Sequence, residues 1–113
     1  MVFDVLVTDE AFADLDSLTE FIRSQSSIEV SRRWFSSMIG AIDSLSAMPE
    51  RCPLAPDTAL RGSGVRLLLY GRRNRKYKIY FWIRRFGRSG GAVEVLHIRH
   101  WARNPLSGEE SAQ

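Results

Sequence analysis

From residue 9 onward the apolar positions recur at steps of three and four. Phe12, Leu15, Leu18, Phe21 and Ile22 form one stripe, and Asp14, Asp16 and Glu20 fall on the opposite side. This is the period of an amphipathic helix. Thr8 or Asp9 offers an N-cap oxygen, and Asp9, Glu10 and Asp14 put negative charge in the first turn, where the helix dipole favours it. The small polar run Ser24 to Ser27 breaks the pattern, and a second helical pattern runs from about Ile28 to Met48. In it Val30, Trp34, Met38, Ile42 and Leu45 repeat, with Phe35, Ile39 and Ala41 widening the stripe. Two such helices joined by a loop of about four residues pack antiparallel, so a helical hairpin is expected. Pro49, Pro53 and Pro56 end the second helix and impose an extended connector to about Ser63.

The rest of the chain reads in strands. Val2 to Val7 is rich in β-branched and aromatic residues, and its imperfect alternation suits a strand covered in part on both faces. After the connector come Val65 to Tyr70, Lys76 to Ile83 and Val93 to His100, separated by short turns at Gly71 to Arg75 and Gly87 to Gly91. Turns this short join antiparallel neighbours. The expected fold is α+β in the order β-α-α-β-β-β, with the hairpin on one face of a mainly antiparallel four-stranded sheet. The first strand could join either edge. Residues 1 to 106 read as one domain, and the polar, acidic 107 to 113 as a flexible tail.

Alternation assigns the faces of the sheet. Tyr77, Ile79, Phe81 and Ile83 suit the helices, and Leu96 and Ile98 suit the same core. The other face should then be open and carry Arg66, Tyr70, Lys78, Tyr80, Trp82, His97 and Arg99, rimmed by Arg72, Arg73 and Arg75. Cations interleaved with aromatics suit nucleic acid, where phosphates pair with Arg and Lys and bases stack on rings. They equally suit an acidic, partly apolar peptide.

Charge sharpens this reading. Residues 1 to 60 hold four Lys+Arg against ten Asp+Glu, a net of −6, whereas residues 61 to 113 hold twelve against three, a net of +9. An anionic partner should therefore meet the C-terminal half. With 44% hydrophobic and 26% charged residues the 113-residue chain is composed like one ordinary folded domain, not a disordered segment. No apolar run approaches the roughly 20 residues of a membrane span. The start MVFDVLVTDE has no basic region followed by an apolar one, so secretion by a cleaved signal is not expected. A single cysteine, Cys52, allows no internal disulfide and fits a reducing cytosol.

Few residues are candidates for chemistry. His97 and His100 are the only histidines, and with one distant cysteine they make no metal set, so neither metal nor cofactor is expected. His100, beside Arg99 and Arg103, could act as a general acid or base. It could equally be a structural histidine bonded to backbone. Gly87 to Gly91 joins two strands rather than opening a helix, so it is not a phosphate loop.

Three segments carry a resemblance: MPERCPLAP after the second helix, LLLYGRRNRKYKIYFWI in the middle and VEVLHIRHWARNPL at the end. In this order the chain resembles the RelE/ParE superfamily of toxins from type II toxin–antitoxin modules, and ParE-type members most. The resemblance implies a plasmid-stabilisation type toxin in the cytoplasm, bound and neutralised by an acidic, ParD-like antitoxin in a hetero-oligomer. ParE-like members poison DNA gyrase, whereas RelE-like members are ribosome-dependent mRNA endonucleases. For the first, Arg66, Arg72, Arg73, Arg75, Lys78, Tyr80, Arg99 and Arg103 would meet partner or nucleic acid. For the second, His100, Arg99 and Arg72 would be catalytic. Only Asp57 stands where some nucleases carry a catalytic glutamate, no tyrosine follows His100, and Trp101 replaces the glycine of an "RHGAR" pattern. These departures place the ParE reading first.

Overall fold

A computed structural model of the chain describes residues 2–71, 76–87 and 90–101. Strand β1 (Asp4–Val7) leads into helices α1 (Asp9–Gln25) and α2 (Ile28–Asp43), and the connector leads to strands β2 (Arg66–Tyr70), β3 (Tyr77–Phe86) and β4 (Gly90–His100). The hairpin loop is two residues long. Thr8 and Ser27 are the N-caps: their side chains accept from the backbone N–H of Ala11 at 3.2 Å and of Val30 at 3.1 Å. Helix α2 stops at Asp43, before the expected Met48, and a 3-10 turn at Ser44–Ser46 carries Leu45 into the core. Arg51 braces the chain that follows the helix. Its guanidinium donates to the carbonyl of Ala47 at 2.7 Å and to the Ser44 hydroxyl at 3.1 Å, at the two ends of the 3-10 turn.

The sheet order is β1-β4-β3-β2, with β1 parallel to β4 and the other pairs antiparallel. This settles the open question of the first strand. Beyond Val7 the edge of β4 would be bare, and α1 covers it. The Thr8 N–H and hydroxyl donate to the carbonyl of Val95 at 3.1 and 2.8 Å, and the Asp14 carboxylate accepts the Ile98 N–H at 3.0 Å.

Between helices and sheet lies the main core, in which Phe3, Leu15, Met38, Ile42 and Leu45 meet Ile79, Phe81, Val93, Val95 and Ile98. Val93 and Val95 share this face with Ile98 although the spacing is odd. Tyr80 opposes His97 while Phe81 opposes Val95, so Leu96 is the extra residue of a β-bulge. The bulge turns Leu96 to the other face and corrects its expected place in the helix-side core. At Gly91 the backbone passes so close that an added Cβ would lie 2.6 Å from both the Arg84 carbonyl oxygen and the Phe3 ring.

The second face of the sheet is not open, which corrects the expectation from alternation. The connector lies across it. Ala55 N–H donates to the Val65 carbonyl at 2.8 Å, and Leu67 N–H to the Pro53 carbonyl at 3.0 Å. Val65, Leu67 and the fully buried Tyr80 form a second core there, joined by Ala55, Leu60, Trp82 and Leu96. The Tyr80 hydroxyl donates to Asp57 Oδ2 at 2.9 Å, fastening the connector down. Arg66 and Tyr70 also depart from their expected place. They pair with Phe81 and Tyr77, so they point to the helix side, and the Arg66 guanidinium donates to the Cys52 carbonyl at 2.6 Å. Among the described residues no helix is long and apolar enough to cross a membrane.

Candidate partner-binding site

Strands β2 to β4 carry Arg66, Lys78, Arg84, Arg85 and Arg99, and the structure sorts them by partner. Arg85 pairs with Glu50, and Arg84 pairs with Glu94 while stacking 5.3 Å from the ring centroid of Trp82. The Trp82 indole N–H donates to Glu94 Oε1 at 2.6 Å. That bond and the Arg84 guanidinium hold the Glu94 carboxyl below its ordinary pKa, and Arg85 does the same for Glu50. These cations are already neutralised. Arg66 is engaged by backbone carbonyls. Arg72, Arg73, Arg75 and Arg103 lie outside the described residues.

What remains is one group on the second face, past the end of the connector. Lys78 stands directly opposite Arg99 across β3 and β4. Trp101 donates its backbone N–H to the Lys76 carbonyl at 2.7 Å, which brings its ring beside both lysines. The ammonium groups of Lys76 and Lys78 lie 5.8 and 5.5 Å from the ring centroid, at cation–π range. Lys78 is 9% exposed, and the Nε of Arg99 is buried without an acceptor. Leu69, opposite Lys78, is 45% exposed. The site is thus cationic at its base with an apolar rim at the sheet edge.

His100 does not join this group. Adjacent strand residues point to opposite faces, so with Arg99 on the second face His100 falls on the helix side. There its ring meets Tyr77 edge to face at 5.2 Å, and Tyr77 in turn meets Trp34 at 5.3 Å. The pair that nuclease chemistry would need together, an acid/base histidine and a phosphate-binding Arg99, is split by the sheet.

Next to the connector a cavity of about 340 Å³ is lined by Thr8, Glu10, Leu60, Tyr80, Trp82 and His97, among others. His97 Nδ1 lies 3.5 Å from Asp14 Oδ2. Among the described residues no three His, Cys, Asp or Glu side chains come together as a metal site would need. Cys52 is buried at the connector, and desolvation pushes its thiol pKa up, partly countered by Arg51 and Arg66. The sequence reading passed over Trp101 as a contact and Asp57 as the clasp of the connector. Trp101 stands two residues beyond Arg99 in the alternation of β4, which is the signal that could have found it.

The fold has a known counterpart. A chain of the chromosomal ParDE TA system from P. aeruginosa superposes with a TM-score of 0.67 at 18% identity, covering 88% of this chain and 96% of that one. No curated protein sequence matches. The family described as ParE toxin of type II toxin-antitoxin system, parDE, matches residues 5–105, nearly the whole chain, and the chain therefore belongs to the ParE toxin family.

Proposed function

We propose that this ParE family member arrests growth by inhibiting DNA gyrase in the cytoplasm and is neutralised by a cognate acidic antitoxin, as in plasmid stabilisation modules. Residues 1 to 106 act as one toxin domain, with the antitoxin bound in a hetero-oligomer. The observation that carries this over RNA cleavage is the separation of His100 from Arg99 by the sheet. Among the described residues no acid/base histidine converges with a phosphate-binding arginine, and a toxin of that kind acts by binding, which is the ParE mode. Lys78 and Arg99, with Arg72, Arg73, Arg75 and Arg103 by their sequence position, supply the cationic surface for antitoxin or for the gyrase–DNA complex. Arg66 and Tyr80 contribute indirectly, by holding the connector against the sheet.

The test uses purified gyrase, relaxed plasmid and the full chain. Lost supercoiling together with linear DNA released by detergent and protease supports the reading. Full gyrase activity at excess toxin overturns it, and codon-placed cuts in translated mRNA that vanish in His100→Ala would establish the endonuclease alternative.

A further inference from the structure

A charge taken out of water without a counter-ion is unfavourable, and two cations side by side are more so. Lys78, 9% exposed, and Arg99, whose Nε is buried, approach this case. Each sits opposite the other, and among the described residues neither has a carboxylate within ion-pairing distance. The neighbouring Arg84 and Arg85 each have a glutamate. Lys78 is buried to 9% exposure and the Arg99 Nε has no acceptor, so among the described residues this cation pair lacks a counter-ion.

The surroundings say what kind of anion. The N–H of Leu67 points away from β3, because it donates to Pro53. In an antiparallel pair this direction repeats every second residue, so Leu69 also turns its N–H and C=O outward. Among the described residues nothing pairs with the edge at Leu69, since the connector contacts β2 only at its start. An exposed leucine, a free main-chain edge and a cationic recess on the same face are the elements that recognise an extended peptide. Nucleic acid fits less well. Trp101, the aromatic ring at the recess, already has two ammonium groups at cation–π range and is not a free platform for a base.

We infer that Lys78, Arg99 and Trp101, with Lys76 at the rim, form a receptor for a single carboxylate side chain of an extended acidic peptide. This rests on the reading of an acidic antitoxin as partner and names the contact its binding segment makes. The carboxylate accepts from the Lys78 ammonium and from Nε–H of Arg99, and the net charge of the cation pair falls from +2 to +1. Leu69 packs against the neighbouring apolar residue of the peptide.

The probe is the capped pentapeptide acetyl-Leu-Glu-Leu-Glu-Leu-amide, titrated into the full ¹⁵N-labelled chain. Its glutamine counterpart and the dinucleotide pTpT serve as comparators. The glutamate peptide should move the Trp101 indole and Arg99 Nε–H resonances and bind about tenfold or more tightly than the glutamine peptide, as expected for charge-assisted hydrogen bonds. Lys78→Met and Arg99→Gln should each remove that preference while the melting temperature is retained. Equal binding of the two peptides overturns the proposal, as does a preference that survives both substitutions. A response to pTpT with none to the glutamate peptide reassigns the recess to phosphate and also overturns it. Gyrase is absent from this experiment, so a negative gyrase assay with a positive titration refutes the proposed target alone.

Discussion

Replacing Tyr80 by Phe removes one hydroxyl and leaves the ring in place, which isolates the clasp between connector and sheet. Tyr80 is fully buried, Asp57 is 7% exposed, and the hydroxyl donates to the carboxylate at 2.9 Å. A hydrogen bond to a charged group contributes about 1.5–3 kcal/mol. Unfolding entropy near 2.1 cal/mol/K per residue gives about 240 cal/mol/K for this chain, so a loss of 2 kcal/mol lowers the melting temperature by about 8 °C. The effect should begin locally. The amides of Ala55 and Leu67, which bond across to Val65 and Pro53, should exchange with deuterium faster in the variant, while those of β3 and β4 keep their relative protection. Thermal melts and amide exchange on the two proteins are the assay. A loss below about 0.5 kcal/mol with unchanged exchange at Ala55 and Leu67 would refute the clasp.

Further outcomes follow from the same contacts. Gly91→Ala drives a methyl into the Arg84 carbonyl, a backbone atom that cannot step aside, and should destabilise by about 1–3 kcal/mol in urea titration. Met48 holds φ 48° while 72% exposed, so Met48→Gly relieves left-handed strain without emptying a core and should raise stability by up to about 1 kcal/mol. The depressed pKa values of Glu94 and Glu50 mean that their stabilisation is present above the unfolded carboxyl value of about 4.3 and is lost as pH falls below it. The melting temperature should therefore drop in acid, with a shallower drop in Glu94→Gln. Cys52, buried and with its pKa raised, should react with a thiol reagent far more slowly in the folded chain than in denaturant.

Much of the fold was legible because single elements carry their own period. Leu15, Met38 and Ile42 announced the helical stripes, and Tyr77, Ile79 and Phe81 announced the covered face of β3. The family resemblance read from MPERCPLAP and VEVLHIRHWARNPL agrees with the family match over residues 5–105. The second face was not legible. Alternation says which residues share a side but not what covers that side, and the connector that buries Tyr80 has no period of its own. The bulge at Leu96 hid for a related reason: Leu96 and Ile98 stand two apart and read as one face, and only the register with β3 shows that Leu96 is the inserted residue while Ile98, His97 and Arg99 keep their expected sides. Arg66 and Tyr70 were misplaced because the facing of β2 depends on its register with β3, which no single strand encodes. Partnering separates the cations further: Arg84 and Arg85 look like Lys78 and Arg99 in sequence, and only the fold brings Glu94 and Glu50 to the first two.

If this ParE family member stops growth through gyrase, as proposed, and not through RNA, the topology of a reporter plasmid in the cell will report it. Within minutes of inducing the chain the plasmid should lose negative supercoils and yield linear DNA after protease treatment, and co-expression of the cognate antitoxin should restore both. Growth arrest with plasmid topology unchanged would contradict the proposal.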